Sequence, residues 1–448
     1  MRLKSKGYII CSAVVIIVIT SVLASSCGEK RTARTNANSA PTDPPVARTL
    51  PPLPSRPLSE KLKGLRAGAM RQASELRELP FKSEVGMAEL SGWEYGSRTS
   101  EMAQLLGGEE LRGLSRLAIA GGVLPAGTDL ATLGASFTAV SAGATYSPLD
   151  KQILLVDPHS NSSLLTHEFV HALQDQHFDL MKLLVVRPYN YDRTEAVFAL
   201  IEGDAMNVQR RAEEGEQVFA RRTLEDIARQ ENDRFTAYRK DFGALFPPLL
   251  TETFIFRYRD GARFVETVRR KSGERGIDDL FRRPPASSEQ ILHPEKYFQG
   301  EAARDAQLNE AAFSENGWRA VTSTTLGEIG VRGILMAGVA ESEAVRAAAG
   351  WGGDRAYLFE RESGAPLFVW KSAWDKPTDA AEFFKAYNTA EQHRKGAQLT
   401  GQSTSGSDAQ MTWREGDGST LVYLGGDTVF VLRGAEADLS LALESARR

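Results

Sequence analysis

Cysteine is nearly absent from this chain: Cys11 and Cys27 are the only two in 448 residues. Cys11 sits inside an apolar N-terminal run and Cys27 closes it, so neither is expected in a folded domain. That excludes disulfides and thiolate metal sites, and any transition-metal site must draw on His, Asp and Glu. Histidine is scarce too, with six in all. Neither sign of charge dominates, since 54 basic and 58 acidic residues leave a formal net charge of −4. Nothing in that balance invites nucleic acid or an anionic membrane surface.

One long apolar run is present. Basic "MRLKSKG" precedes "YIICSAVVIIVITSVLA", and small residues then lead to Cys27. The run is short and ends at small residues, which predicts a signal peptide over 1–27 rather than a spanning helix. "VLASSCG" resembles a bacterial lipobox, with Ala24 where a large aliphatic residue is usual and Leu23 one place early. Lipidation at Cys27 is expected, with plain secretion or an uncleaved anchor as the alternative. Residues 28–57 are rich in Pro, Thr, Asn and Arg and poor in large apolar side chains. They cannot bury enough surface to order themselves, which predicts a flexible tether.

The rest exceeds a single typical domain. Leu58, Leu62, Leu65, Ala69 and Leu76 recur at helical spacing over 58–79. An apolar run at 153–156 predicts a strand, which would be the sheet edge for an extended peptide. A helix capped by Asn161 or Ser162 follows, then another from Asp192 to Glu214, and more over 222–245, 249–259 and 261–272. Near residue 320 the texture changes. A hairpin about Ser363-Gly364, a helix from Pro377 with Asp379 and Glu382 at capping-box spacing, three short strands and a final helix follow. "GWGGDR" (350–355) is expected to be a turn. The fold class is therefore α+β: a mostly helical core with a short edge sheet over 58–320, and an accessory α+β domain over 321–448.

The chemistry concentrates in "THEFVHALQDQHFDL" (166–180). On a helix, His167 and His171 lie four apart and present two imidazoles to one ion. Glu168 lies about 100° around from His167, beside the metal rather than on it. A carboxylate there suits proton transfer from zinc-bound water, whose pKa zinc lowers to around 7. Two histidines merely sharing a helix face are the bland alternative.

The third ligand is less direct. His177 falls where metzincin-type proteases place theirs, but those enzymes carry a glycine that ends the helix, and here Gln174 stands in its place. If the helix continues, His177 is rotated about 240° from His171 and about 9 Å along the axis, facing away. A glutamate from the second helix, the gluzincin arrangement, is the better candidate: "ALIEGDA" offers Glu202, 31 positions after His171, followed by the small Gly203. Glu195 competes from about the same face, and Asp204 suits a structural bond. Met206 stands where an ExxxD pattern would put the acid, so the partner of the histidines is unassigned.

"HEFVHALQDQHFDL", "ALIEGDA" and "EQILHPEKY" together resemble a group of mostly uncharacterised bacterial secreted lipoproteins with a gluzincin-like core. The resemblance spans roughly residues 140–300. It implies a zinc-peptidase fold, with Zn2+ on His167, His171 and Glu202, and Glu168 as the catalytic acid–base. His293 is a candidate for oxyanion stabilisation, a helix-end or surface histidine being the plainer reading, and Tyr258 is a weaker candidate for the same task. His159 and His393 have no motif support. The expected function is a zinc metallopeptidase, lipid-anchored in the bacterial cell envelope and acting on a peptide or protein substrate. A non-catalytic envelope lipoprotein that uses such a fold to bind a peptide or partner is the alternative.

Overall fold

A computed structural model describes residues 52–53 and 56–448, apart from 142, 157–160, 186–188 and 244. The expected signal peptide, Cys27, most of the tether and His159 lie outside the described residues. The fold is α+β, with a helical N-terminal part and a seven-stranded antiparallel sheet towards the C-terminus.

The helical part opens with α1 (Glu60–Arg77), β1 (Gly86–Glu89), α2 (Gly92–Ala120) and α3 (Leu130–Ser141). Strands β2 (Ala144–Ser147) and β3 (Gln152–Leu155) follow, then α4 (Ser162–Phe178), α5 (Leu180–Leu184) and α6 (Tyr191–Glu214). Next come α7 (Glu216–Ala220), α8 (Leu224–Phe242) and α9 (Pro248–Ile255). A π-helical turn, Phe256–Asp260, joins α9 to α10 (Gly261–Arg282). The predicted helix end at 272 marks a real break, because Gly273 leaves helical geometry with φ +66° before a second helical stretch runs on. Short α11 (Ser288–Leu292), α12 (Pro294–Gln299) and α13 (Glu310–Ser314) lead to the sheet.

The small sheet has the order β1-β3-β2, with β1 parallel and β2 antiparallel to β3. This corrects the expected edge. The apolar run at 152–155 is the central strand, and the strand facing α4 is β2. A four-residue apolar run looks the same in either position, so its pattern alone could not decide.

Helix α4 starts where Asn161 accepts the backbone N–H of Leu164, and it runs unbroken through Gln174 to Phe178. Every side chain from Leu164 to Asp175 is buried, so α4 is enclosed on all sides rather than amphipathic. Helices α1 and α6 pack on it, and Leu164, Phe169, Val170 and Leu173 join Ala69, Ala73, Ala205 and Val208 in one core.

The large sheet has the order β4-β5-β6-β10-β9-β8-β7. Its strands are β4 (Arg319–Thr324), β5 (Trp351–Glu360), β6 (Leu367–Trp374), β7 (Gln398–Ser405), β8 (Asp408–Glu415), β9 (Gly418–Gly425) and β10 (Thr428–Gly434). Helices α14 (Gly327–Leu335), α15 (Glu341–Ala348), α16 (Pro377–Gln392) and α17 (Glu436–Arg447) accompany it. "GWGGDR" is not a turn beyond Gly350: it opens β5. Its Asp354 is buried and accepts the backbone N–H groups of Leu326 and Gly327 and the indole N–H groups of Trp351 and Trp370. One carboxylate thus pins the start of α14 to the sheet. The expected capping box on α16 does not form, since the N-cap is Lys376 and Pro377 begins the helix without a side-chain cap. Leu117 of α2 belongs to the core under this sheet, so the two parts share packed surface.

Candidate metal centre

The sequence puts His167 and His171 one helical turn apart, and the structure turns both rings towards α6. Their Nε2 atoms lie 3.0 Å apart, and Glu202 Oε2 lies 3.3 Å from the first and 3.5 Å from the second. Three donor atoms therefore form a triangle. Around an ion with zinc-like bonds of about 2.0–2.1 Å, a tetrahedron has edges of about 3.3–3.4 Å. The donor set, two imidazoles and one carboxylate, fits zinc, and it can be filled with little movement.

Why Glu202 reaches so far in is a matter of backbone. A Cβ on Gly203 would lie 2.2 Å from the carbonyl carbon of Gly261, and one on Gly261 would lie 2.1 Å from the Ala199 carbonyl oxygen. Helix α6 and the start of α10 thus touch backbone to backbone, and no other residue fits at either crossing point. The same crossing brings in Tyr258 from the π-helical turn. Its ring stacks near His167, with centroids 6.5 Å apart and planes at 23°. Single π-helical turns are frequent at functional sites.

Glu168 sits beside the triangle. A carboxylate oxygen lies within 4.8 Å of ring nitrogens of both histidines, farther than Glu202. Its Oε2 accepts the backbone N–H of Tyr146 on β2 at 2.6 Å, while buried Oε1 has no hydrogen-bond partner among the described residues. Of the two carboxylates, Glu202 lies nearer both rings, and Glu168 lies beside them with one oxygen uncommitted among the described residues.

The second layer is built around Gln174. Its amide nitrogen donates to the Ile201 carbonyl at 3.0 Å and to Asp204 Oδ2 at 2.9 Å. Its Oε1 therefore faces His171 Nδ1, 2.9 Å away, which must be the donor. That leaves Nε2 of His171 turned into the triangle. Asp204 in turn accepts from Nε of Arg77, a fully buried α1 side chain also held by Glu274 and Asp278. His167 has no equivalent, for its buried Nδ1 lacks a partner among the described residues.

The electrostatics are those of a metal-free chain. Burial pushes the Glu168 carboxyl up to about 8, against the pull of His171. Burial also opposes charge on His171, but Glu202 and Glu168 outweigh it and raise the imidazole to about 9. His167 moves down, through burial and the adjacent charge on His171. Burial would raise Glu202, yet the two imidazoles draw it down to about 2. One proton shared by two facing imidazoles is what a dication would displace.

The other sequence candidates lie elsewhere. Glu195 makes a bidentate pair with Arg257 at 2.6 and 2.7 Å, so it is not available as a ligand. His177 Nε2 lies 2.8 Å from the Pro80 carbonyl near the end of α4. His293 faces Glu328 at 3.0 Å, and no hydrogen bond, ion pair or ring contact joins it to His167, Glu168, His171 or Glu202. His393 lies 2.6 Å from the Gly338 carbonyl. Gln174 is the residue that sequence reasoning missed, treated only as a helix former. Its position three after His171 on one helix face was the available signal.

A family model described as a domain of unknown function (DUF8575) matches residues 313–443. That stretch is the large sheet with its helices, and it contains none of the residues of the triangle. No curated protein matches the chain, and no solved structure does.

Proposed function

We propose that this chain is a zinc-dependent metallopeptidase of the bacterial cell envelope, anchored by a lipid on Cys27. The observation that carries this is the triangle of His167 Nε2, His171 Nε2 and Glu202 Oε2, with edges of 3.0, 3.3 and 3.5 Å and Glu168 beside it. Zinc held there would supply a Lewis acid and a water acidified to near neutral pH. Glu168 Oε1, uncommitted to any described residue, takes and returns the proton. Tyr258 and the wall behind it keep the His167 ring in place. The peptide would lie along β2, whose Tyr146 N–H already reaches out of the sheet to an acceptor.

One observation favours a second reading, a metal-bearing lipoprotein that binds a partner without cleaving it. His167, Glu168, His171 and Glu202 are each 0 % exposed, so a substrate reaches them only if the surrounding elements open. Zinc content and cleavage of a broad peptide library, for the wild type and Glu168→Gln, separate the two. Stoichiometric zinc with cleavage abolished in the variant is expected. Stoichiometric zinc with no cleavage by the wild type would favour binding, and absence of zinc would sink both.

A further inference from the structure

We propose that Gln174 is the positioning residue of this centre, a clamp that fixes His171 and the Glu202 backbone at once. The inference rests on the metal-site reading above and deepens it. Three contacts of one fully buried amide carry it. Oε1 accepts from His171 Nδ1 at 2.9 Å, and Nε2 donates to the carbonyl of Ile201 at 3.0 Å and to Asp204 Oδ2 at 2.9 Å. Ile201 immediately precedes Glu202, so the same side chain sets the ring orientation of one ligand and the helix register of another.

The identity of the residue has a chemical consequence. Histidine ligands usually donate to a carboxylate, a carbonyl or water, and a carboxylate raises the ring's basicity. Here the acceptor is a neutral amide oxygen. The negative charge stands one hydrogen bond further out, on Asp204, where Arg77 offsets it at 2.9 Å. His171 is thereby held as a neutral ligand with its Nε2 lone pair directed at the ion, and without the extra electron donation of a carboxylate partner. An ion held there would then be the stronger Lewis acid.

A carboxylate cannot simply replace the amide. In Gln174→Glu, the second oxygen would face the Ile201 carbonyl and the Asp204 carboxylate, both acceptors. Adding Asp204→Asn restores a donor opposite that oxygen and returns the net charge to that of the wild type. A side chain present only to fill space would respond to neither change in this order.

The test is zinc affinity by chelator competition on the full chain, for wild type, Gln174→Leu, Gln174→Glu, Asp204→Asn and Gln174→Glu/Asp204→Asn. Melting temperature with chelator present is measured alongside. Gln174→Leu is expected to bind zinc roughly 10–100-fold more weakly. Gln174→Glu should be at least as weak, and the double variant should recover part of the loss. In the zinc-loaded wild type, proton NMR should show a slowly exchanging imidazole N–H for His171, lost or fast-exchanging in Gln174→Leu. Should Gln174→Leu fail to fold, Asp204→Asn, which leaves the Ile201 contact intact, is read by the same proton. Unchanged zinc affinity and an unchanged N–H in the variants would overturn the clamp while leaving the metal site standing. A wild type that takes up no zinc would overturn both.

Discussion

At the scale of single residues, two glutamates about two turns apart on α6 have opposite fates. Glu202 meets two imidazoles, whereas Glu195 meets the Arg257 guanidinium, which also lies 4.7 Å over the Phe198 ring. Removing one member of a buried ion pair leaves the other charged and unsolvated, at a cost of about 3 kcal/mol or more. Glu195→Ala is therefore expected to lower the unfolding free energy read from urea titration by about that much, while the zinc uptake proposed above is unchanged. Loss of zinc at undiminished stability would mean that the two roles have been exchanged. The shared direction of His167 and His171 was legible from helical period, and Glu202 was picked out through the likeness of "ALIEGDA" to the gluzincin arrangement. Gln174 was not. Two of its three partners, Ile201 and Asp204, come from α6, far along the chain, and a long polar side chain in mid-helix carries no mark of being buried.

At the scale of elements, the start of α6 holds a buried acid. Asp192 accepts the backbone N–H of Ser288 at 2.8 Å, joining α6 to α11. Burial raises its carboxyl to about 8, with Asp354 and Glu289 adding to the shift and the Ser288 bonds opposing it. Between about pH 4 and pH 8 the unfolded chain has released a proton that the folded chain still holds, so stability falls as pH rises through that window. Asp192→Asn keeps the acceptor and removes the titration. Comparing urea midpoints of wild type and variant at pH 5 and pH 8.5 should show the variant gaining on the wild type at the higher pH. A constant difference would argue that Asp192 is ionised in the fold. Helices were the more legible elements here, since capping residues and periodicity lie within the segment. Strand β7 was missed because "QLTGQSTS" is largely exposed and polar, and its place comes from backbone pairing with β8.

At the scale of the whole molecule, the helical part and the large sheet are tied at several points. Leu117 of α2 enters the sheet's core, Asp354 holds α14 to β5, and Gly333 of α14 lies against Leu249 of α9. Helix α9 runs directly into the π-helical turn that bears Tyr258. Five of the six tryptophans, all but Trp93, lie at or after Trp318, in or beside the sheet, and are buried. Intrinsic fluorescence thus follows the sheet, whereas far-UV circular dichroism follows mainly the helices. Both are expected to report one coincident thermal transition. Two separated transitions would show that the shared surface does not couple the parts. The crossing of α6 with α10 has a further reach, into kinship. Any chain that keeps this centre must leave positions 203 and 261 without side chains, whatever else drifts. Remote relatives should then be recognisable by a pattern that spans three helices: HExxH, a Glu-Gly pair 31 positions after the second histidine, and a second glycine 58 beyond the first.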